Sequence, residues 1–124
     1  MALLLTTAVS PGDLEGFDYD RVKIVDFQLK TEAKYIRFVV EYGTIQDSKW
    51  VAGMFQPVGF PKDYAIRDMI GQVDGAGDPI PDVTDFTDMV ASLPTDGAEL
   101  LYDGVARVLY QWLIDNGHFA GTIE

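Results

Sequence analysis

AELLYDGVARVLYQWLIDN, residues 98–116, is the longest run of helical periodicity in the chain, and the fold is read outward from it. On a helical wheel Ala98, Leu101, Val105, Val108, Leu109 and Trp112 share one face, with Tyr102 and Leu113 at its edge. Thr95 and Asp96 offer N-cap oxygens after Pro94, and Glu99 suits the positive end of the helix. Gly117 after Asn116 is the expected left-handed stop. Gly104 costs about 1 kcal/mol against alanine inside a helix, unless another backbone packs closely there. The polar side is only a narrow stripe of Glu99, Asp103, Arg107 and Gln111, flanked by Leu100, Tyr110 and Ile114. Either the chain covers this helix on both sides, or Leu100, Tyr110 and Ile114 meet a subunit or partner.

The strongest β pattern lies upstream. Residues 21–30 (RVKIVDFQLK) and 34–42 (KYIRFVVEY) flank Thr31-Glu32-Ala33, which predicts a hairpin. Ile36, Phe38, Val40 and Tyr42 alternate on one face of the second strand. In the first, Val22 and Ile24 share one face while Val25, Phe27 and Leu29 share the other. That switch predicts either a bulge at Ile24-Val25 or burial on both sides. A Gly43-Thr44 turn then leads through Gln46-Asp47-Ser48 to a third strand over 49–55 (KWVAGMF), completing a meander.

The N-terminal run ALLLTTAV (2–9) reads as a short strand or extended arm. Its Leu3, Leu4 and Leu5 either complete the chain's own sheet or lie on a neighbouring subunit. QPVGFPK (56–62) breaks the pattern. Residues 63–70 suggest a short helix with Ala65, Ile66, Met69 and Ile70 on its apolar side. Residues 71–81 form a Gly/Pro-rich loop, and 82–93 a second helix capped by Asp82, with Phe86, Met89, Val90 and Leu93 repeating at helical spacing. Residues 118–124 return along the surface. The expectation is one α+β domain over 1–124, with 1–11 as a possible arm. Its antiparallel meander of about three to four strands packs against the long C-terminal helix and one or two shorter helices.

Composition bounds the function. At 48% hydrophobic and 12% aromatic, 124 residues fold around a real core rather than staying disordered. With no cysteine, disulfide and thiolate chemistry are excluded. The opening MALLL lacks a basic lead, so no signal peptide is expected, and a soluble protein made in the cytoplasm is. Residues 1–62 hold 8 acids against 7 bases, a net of −1; residues 63–124 hold 12 against 2, a net of −10. Such a surface repels phosphates and anionic lipid, so neither direct nucleic-acid binding nor membrane binding is expected.

No stretch carries a specific catalytic motif. Asp74, Asp78, Asp82 and Asp85 fall at calcium-loop spacing, but Ala76 and Pro79 stand at ligand and turn positions and no bidentate glutamate closes the loop. Helix capping by Asp82 and a first-turn Asp85 explain the same residues. His118 follows the helix stop, where it answers the helix dipole. Ser10, Ser48 and Ser92 lack a nucleophile-elbow context. Gly71, Gly75 and Gly77 lack phosphate-loop spacing and any lysine. Trp50 and Trp112 are read as core residues rather than a ligand platform. No catalytic residue, cofactor or metal site is expected.

The stretches YIRFVVEYGTIQDSKWVAG (35–53) and VARVLYQWLIDNGHFAGTI (105–123), with the order arm, meander, Asp/Gly loop and helices, resemble small virion proteins of tailed bacteriophages and prophages. The resemblance implies a non-enzymatic assembly part of a capsid, neck or tail, made in the host cytoplasm, that contacts itself or other virion proteins and forms a homo-oligomer or joins a larger assembly. Contact would run through Leu3, Leu4, Leu5, Leu100, Tyr110 and Ile114. Two alternatives stand beside it: a monomeric acidic adaptor or inhibitor that binds a basic protein, and a small enzyme with a carboxylate site in residues 74–88.

Overall fold

Alternation of apolar and polar side chains, not helical periodicity, dominates the structure. The computed structural model describes residues 1–12, 15–30, 35–67, 75–78 and 101–124. They form strands β1 (Leu3–Val9), β2 (Tyr19–Lys30), β3 (Tyr35–Gln46), β4 (Lys49–Ala52) and β5 (Lys62–Arg67), one helix α1 (Leu101–Asp115), and β6 (Gly121–Ile123). All six strands join one sheet ordered β4-β3-β2-β1-β6, with β5 also on β3, and every pairing is antiparallel.

This corrects the expected α+β layout. The sheet has six strands rather than three to four, and the 15-residue α1 is the only helix among the described residues. The short helix expected from Asp63 is strand β5 as far as Arg67. Tyr64 and Ile66, two residues apart, both point into the core, a period of 2 that a helical wheel hides. The expected helix over 82–93, residues 68–70 and residues 98–100 lie outside the described residues.

The meander itself holds: β2, β3 and β4 are sequential neighbours, and Lys30 pairs with Tyr35 across the hairpin. So does the bulge. Ile24 faces Val40 and Asp26 faces Val39, so Val25 is the extra residue and turns out to solvent. Gly43 and Thr44 do not turn; they continue β3. The turn is Asp47-Ser48, both at positive φ, which suits a two-residue hairpin loop. Gly43 is needed in the strand because a Cβ there would meet the Val51 carbonyl oxygen and sit 2.6 Å from Cζ2 of the Trp50 ring.

One sheet face carries the core. Leu3, Val22, Phe38, Val40, Tyr64 and Ile66 meet Leu109, Tyr110 and Leu113 of α1 and Phe119 of the tail. The buried side of α1 is turned toward Tyr110 and Leu113 relative to the wheel reading, while Arg107 and Gln111 stay exposed. The helix stops as expected. Gly117 at positive φ lets its N–H reach Ile114 O at 3.0 Å and the His118 N–H reach Leu113 O at 2.9 Å.

Candidate interaction surface

β4 and β5 lie end to end along the same edge of β3, and residues 53–61 (GMFQPVGFP) leave the sheet between them. The excursion opens a gap opposite Tyr42, which the Gln56 side chain fills. Gln56 Oε1 accepts from Tyr42 N–H at 2.8 Å, and Gln56 Nε2 donates to Tyr42 O at 2.7 Å and Gly53 O at 2.8 Å. Gly53 N–H also donates to Tyr42 O at 2.9 Å. A side-chain amide thus continues the ladder that the backbone abandons.

The near side of the loop is held by the segment before β2. Glu15 Oε1 accepts from Met54 N–H at 2.6 Å, from Phe55 N–H at 3.1 Å and from the Tyr19 hydroxyl. The Tyr19 oxygen itself accepts from Phe55 N–H at 3.1 Å. Tyr19 is fully buried, and Gly53 lies so close to its ring that a Cβ would stand 2.7 Å from Tyr19 Cε1. Partial burial pushes the Glu15 carboxyl up, but the Tyr19 hydroxyl and the amides of Phe55 and Met54 outweigh it and hold it below its usual range. Burial, with Glu15 beside it, pushes the Tyr19 hydroxyl up.

The far side is a β-turn. Phe60 N–H donates to Pro57 O at 3.0 Å with Gly59 at positive φ in the third position, which places Val58 at the tip. Phe60 returns to the core against Tyr42 at 4.8 Å and Phe119 at 6.2 Å between ring centres. Everything that anchors the loop points inward. Three apolar side chains point outward: Val58 at 103% exposure, Met54 at 82% and Phe55 at 42%. None of residues 53–61 is ionisable. The braced turn thus holds three large apolar groups toward water as one small exposed patch.

The residues expected to make contacts are placed differently. Leu3 is fully buried in the chain's own sheet, between β2 and β6, with Leu4 and Leu5 half-buried beside it. Tyr110 is 1% exposed; its hydroxyl accepts from Ile24 N–H at 2.8 Å at the bulge, and burial pushes its pKa up to about 12 against that bond. Ile114 is half-buried against the core. Leu100 lies outside the described residues. Leu3 and Tyr110 are therefore engaged within the chain, and only opening the core would present them to a partner.

Other sequence candidates scatter. Trp112 meets Phe38 edge-on at 6.0 Å and Tyr64 at 6.3 Å, as a core residue does. Trp50 lies on the opposite sheet face, where its Nε1 donates to Glu41 at 2.8 Å and Lys23 Nζ sits 5.7 Å from its ring. His118 is exposed, its ring 5.1 Å from those of both Trp112 and Tyr64. Of the Asp74–Asp88 series only Asp78 is described, and no group of three metal-ligating side chains occurs among the described residues. A shallow cleft of about 350 Å³ at the bulge is lined by Ile24, Val25, Asp26 and Phe27. No described helix is long and apolar enough to cross a membrane.

The sequence reading missed the loop because Met54 and Phe55 continue the alternation of β4. The usable signal was nine uncharged residues in which turn formers separate exposed-type apolar ones. Searched against protein-family models, curated proteins and solved structures, the chain matches none.

Proposed function

We propose that this protein works by protein–protein contact, as a non-enzymatic structural or assembly subunit whose contact element is the loop Gly53–Pro61. One observation carries the reading: the loop is braced from both sides while Met54, Phe55 and Val58 face water. Exposed apolar groups favour aggregation and lend nothing to the stability of an isolated chain. Held in place beforehand, they lose little conformational entropy on docking, and burying them supplies the driving force.

A place in the capsid, neck or tail of a phage or prophage particle is the specific form of this proposal. It needs no cofactor, and contact with nucleic acid or membrane plays no part in it. The test is incorporation. Particles purified from cells that make the chain should contain it, and the double substitution Met54→Asp, Val58→Asp should leave the chain folded but outside the particles. Equal recovery of both forms in particles would exclude the loop as the contact element.

A further inference from the structure

We propose that Asn116 is a site of spontaneous chemical modification, at which water converts the side-chain amide to a carboxylate, and that the helix stop holds this reaction back until the turn opens.

Asn116 is the one asparagine in the chain, it precedes Gly117, and both are exposed between α1 and β6. That order sets a nucleophile and an electrophile in adjacent residues, and glycine adds no side chain to obstruct their approach. The Gly117 nitrogen gives up its proton to hydroxide and attacks Asn116 Cγ. The N–Cγ bond forms, the Cγ–Nδ2 bond breaks, and ammonia, taking a proton from water, leaves a cyclic imide behind. Water then adds to one imide carbonyl. Attack at Cγ restores the main chain and yields aspartate. Attack at the main-chain carbonyl leaves Gly117 joined through Cγ and yields isoaspartate. In sum one water enters and one ammonia departs.

In the closed turn neither reactant is free. Gly117 N–H donates to Ile114 O at 3.0 Å, so the proton that must leave is engaged. The Asn116 side chain is turned back along the helix, with Nδ2 donating to Trp112 O at 2.9 Å, the same carbonyl that accepts from Asn116 N–H at 3.0 Å. The reaction therefore runs through the opened turn. Its product does not close again as asparagine does. Aspartate loses the Nδ2 donor and sets a negative charge at the negative end of a helix whose last turn has no basic side chain. Isoaspartate adds a carbon to the main chain ahead of Gly117 and breaks the spacing on which the Gly117 and His118 hydrogen bonds depend. What hangs on that stop is Phe119, seated in the core, and β6, paired with Leu3–Leu5. Conversion is a one-way loosening of the junction between α1 and β6.

The experiment ages three samples together in warm, mildly alkaline buffer: the purified full chain, the same chain in concentrated urea, and a synthetic peptide of residues 108–124. Trypsin cuts after Arg107, so the segment 108–124 is recovered from each and weighed, and fragmentation separates Asn116 from Gln111. The urea sample and the peptide should gain one mass unit at Asn116 at equal rates, and the folded chain at least about tenfold more slowly. Asn116→Ser should show no gain. Amide hydrogen exchange then reads the consequence: in aged wild type, and in Asn116→Asp, the Gly117 and His118 amides should exchange several-fold faster than in fresh wild type. A folded chain that converts as fast as the peptide overturns the proposal, because the turn then restrains nothing. So does a denatured chain that gains no mass, or gains it at Gln111. Unchanged exchange at Gly117 and His118 in the aged, converted chain overturns the one-way loosening.

Discussion

The side chain of Gln56 stands in for a missing strand opposite Tyr42, meeting its N–H at 2.8 Å and its C=O at 2.7 Å. That pairing lets the chain leave the sheet at Gly53 and rejoin it at Lys62 without stranding Tyr42's amide. A structural role for the amide makes a specific prediction. Gln56→Ala leaves the Tyr42 N–H without its acceptor and should cost about 1–3 kcal/mol in denaturant unfolding. Gln56→Glu keeps an acceptor but sets a carboxylate against two carbonyls. Its folded pKa rises above the unfolded value, so stability is fullest below the unfolded pKa and falls as pH rises through the folded one. The variant should be weak at neutral pH and recover in acid. A variant as stable as wild type at pH 7 would remove Gln56 from this role.

Tyr110 binds the helix to the bulge through a hydroxyl that accepts from Ile24 N–H. Tyr110→Phe should cost about 1–3 kcal/mol, because the amide is left unpaired in a partly buried place. The hydroxyl also sets an alkaline limit. Burial raises its pKa from 10.0 to about 12, so the neutral form is favoured in the folded protein. That stability is fully present below about 10 and is lost as pH rises toward 12, by about 2–3 kcal/mol in all. Burial pushes Tyr42 and Tyr64 in the same direction. Thermal unfolding followed from pH 8 to 12, a range that spans the tyrosine titration, should show a steeper fall in wild type than in Tyr110→Phe.

What could be read from the sequence was local. The hairpin, the bulge at Ile24-Val25 and the Gly117 stop each depend on residues a few positions apart, and each stands in the structure. What could not be read depends on distant pairings. Ala65 and Ile66 fit one side of a helix until Ile66 is set against Ile36, and Tyr64 against Phe38, of β3. The N-terminal leucines were open to two readings because their second neighbour, β6, is three residues long and too short to announce itself. Tyr110 looked outward on a wheel because the packing face of α1 is set by the sheet beneath it, not by the helix alone. The loop was hidden for the same reason: its braces come from Glu15 and Tyr42, up to 40 positions away.

Gly43 tests the outer sheet face. Its missing side chain is where the Trp50 ring rests, with Trp50 Nε1 held by Glu41. Gly43→Ala should press on the Val51 carbonyl, displace the indole and destabilise the chain by about 1–3 kcal/mol, the usual cost of overpacking. The accompanying sign should be a red shift in tryptophan emission. An unchanged melt and spectrum would mean that Trp50 does not rest on Gly43 in solution.

Glu15 gives the loop an acid-sensitive brace. Its folded pKa lies below 4.5, so its contribution is present above the unfolded value and is lost as pH falls through the folded one. The amide shifts of Met54 and Phe55 in an NMR titration should move together with a midpoint below 4.5, and Glu15→Gln should abolish that step. A midpoint above 4.5 would contradict the three-donor arrangement.

Gly53–Pro61 is braced from both sides while its apolar side chains stay outside. Amide hydrogen exchange on the monomer at neutral pH reads it directly. The Met54, Phe55 and Phe60 amides, bonded to Glu15, Tyr19 and Pro57, should exchange at least about tenfold more slowly than those of an unstructured peptide. Exchange at the rate of an open chain would mean that the loop is not braced, and the case for it as a ready-made contact surface would fall with that result.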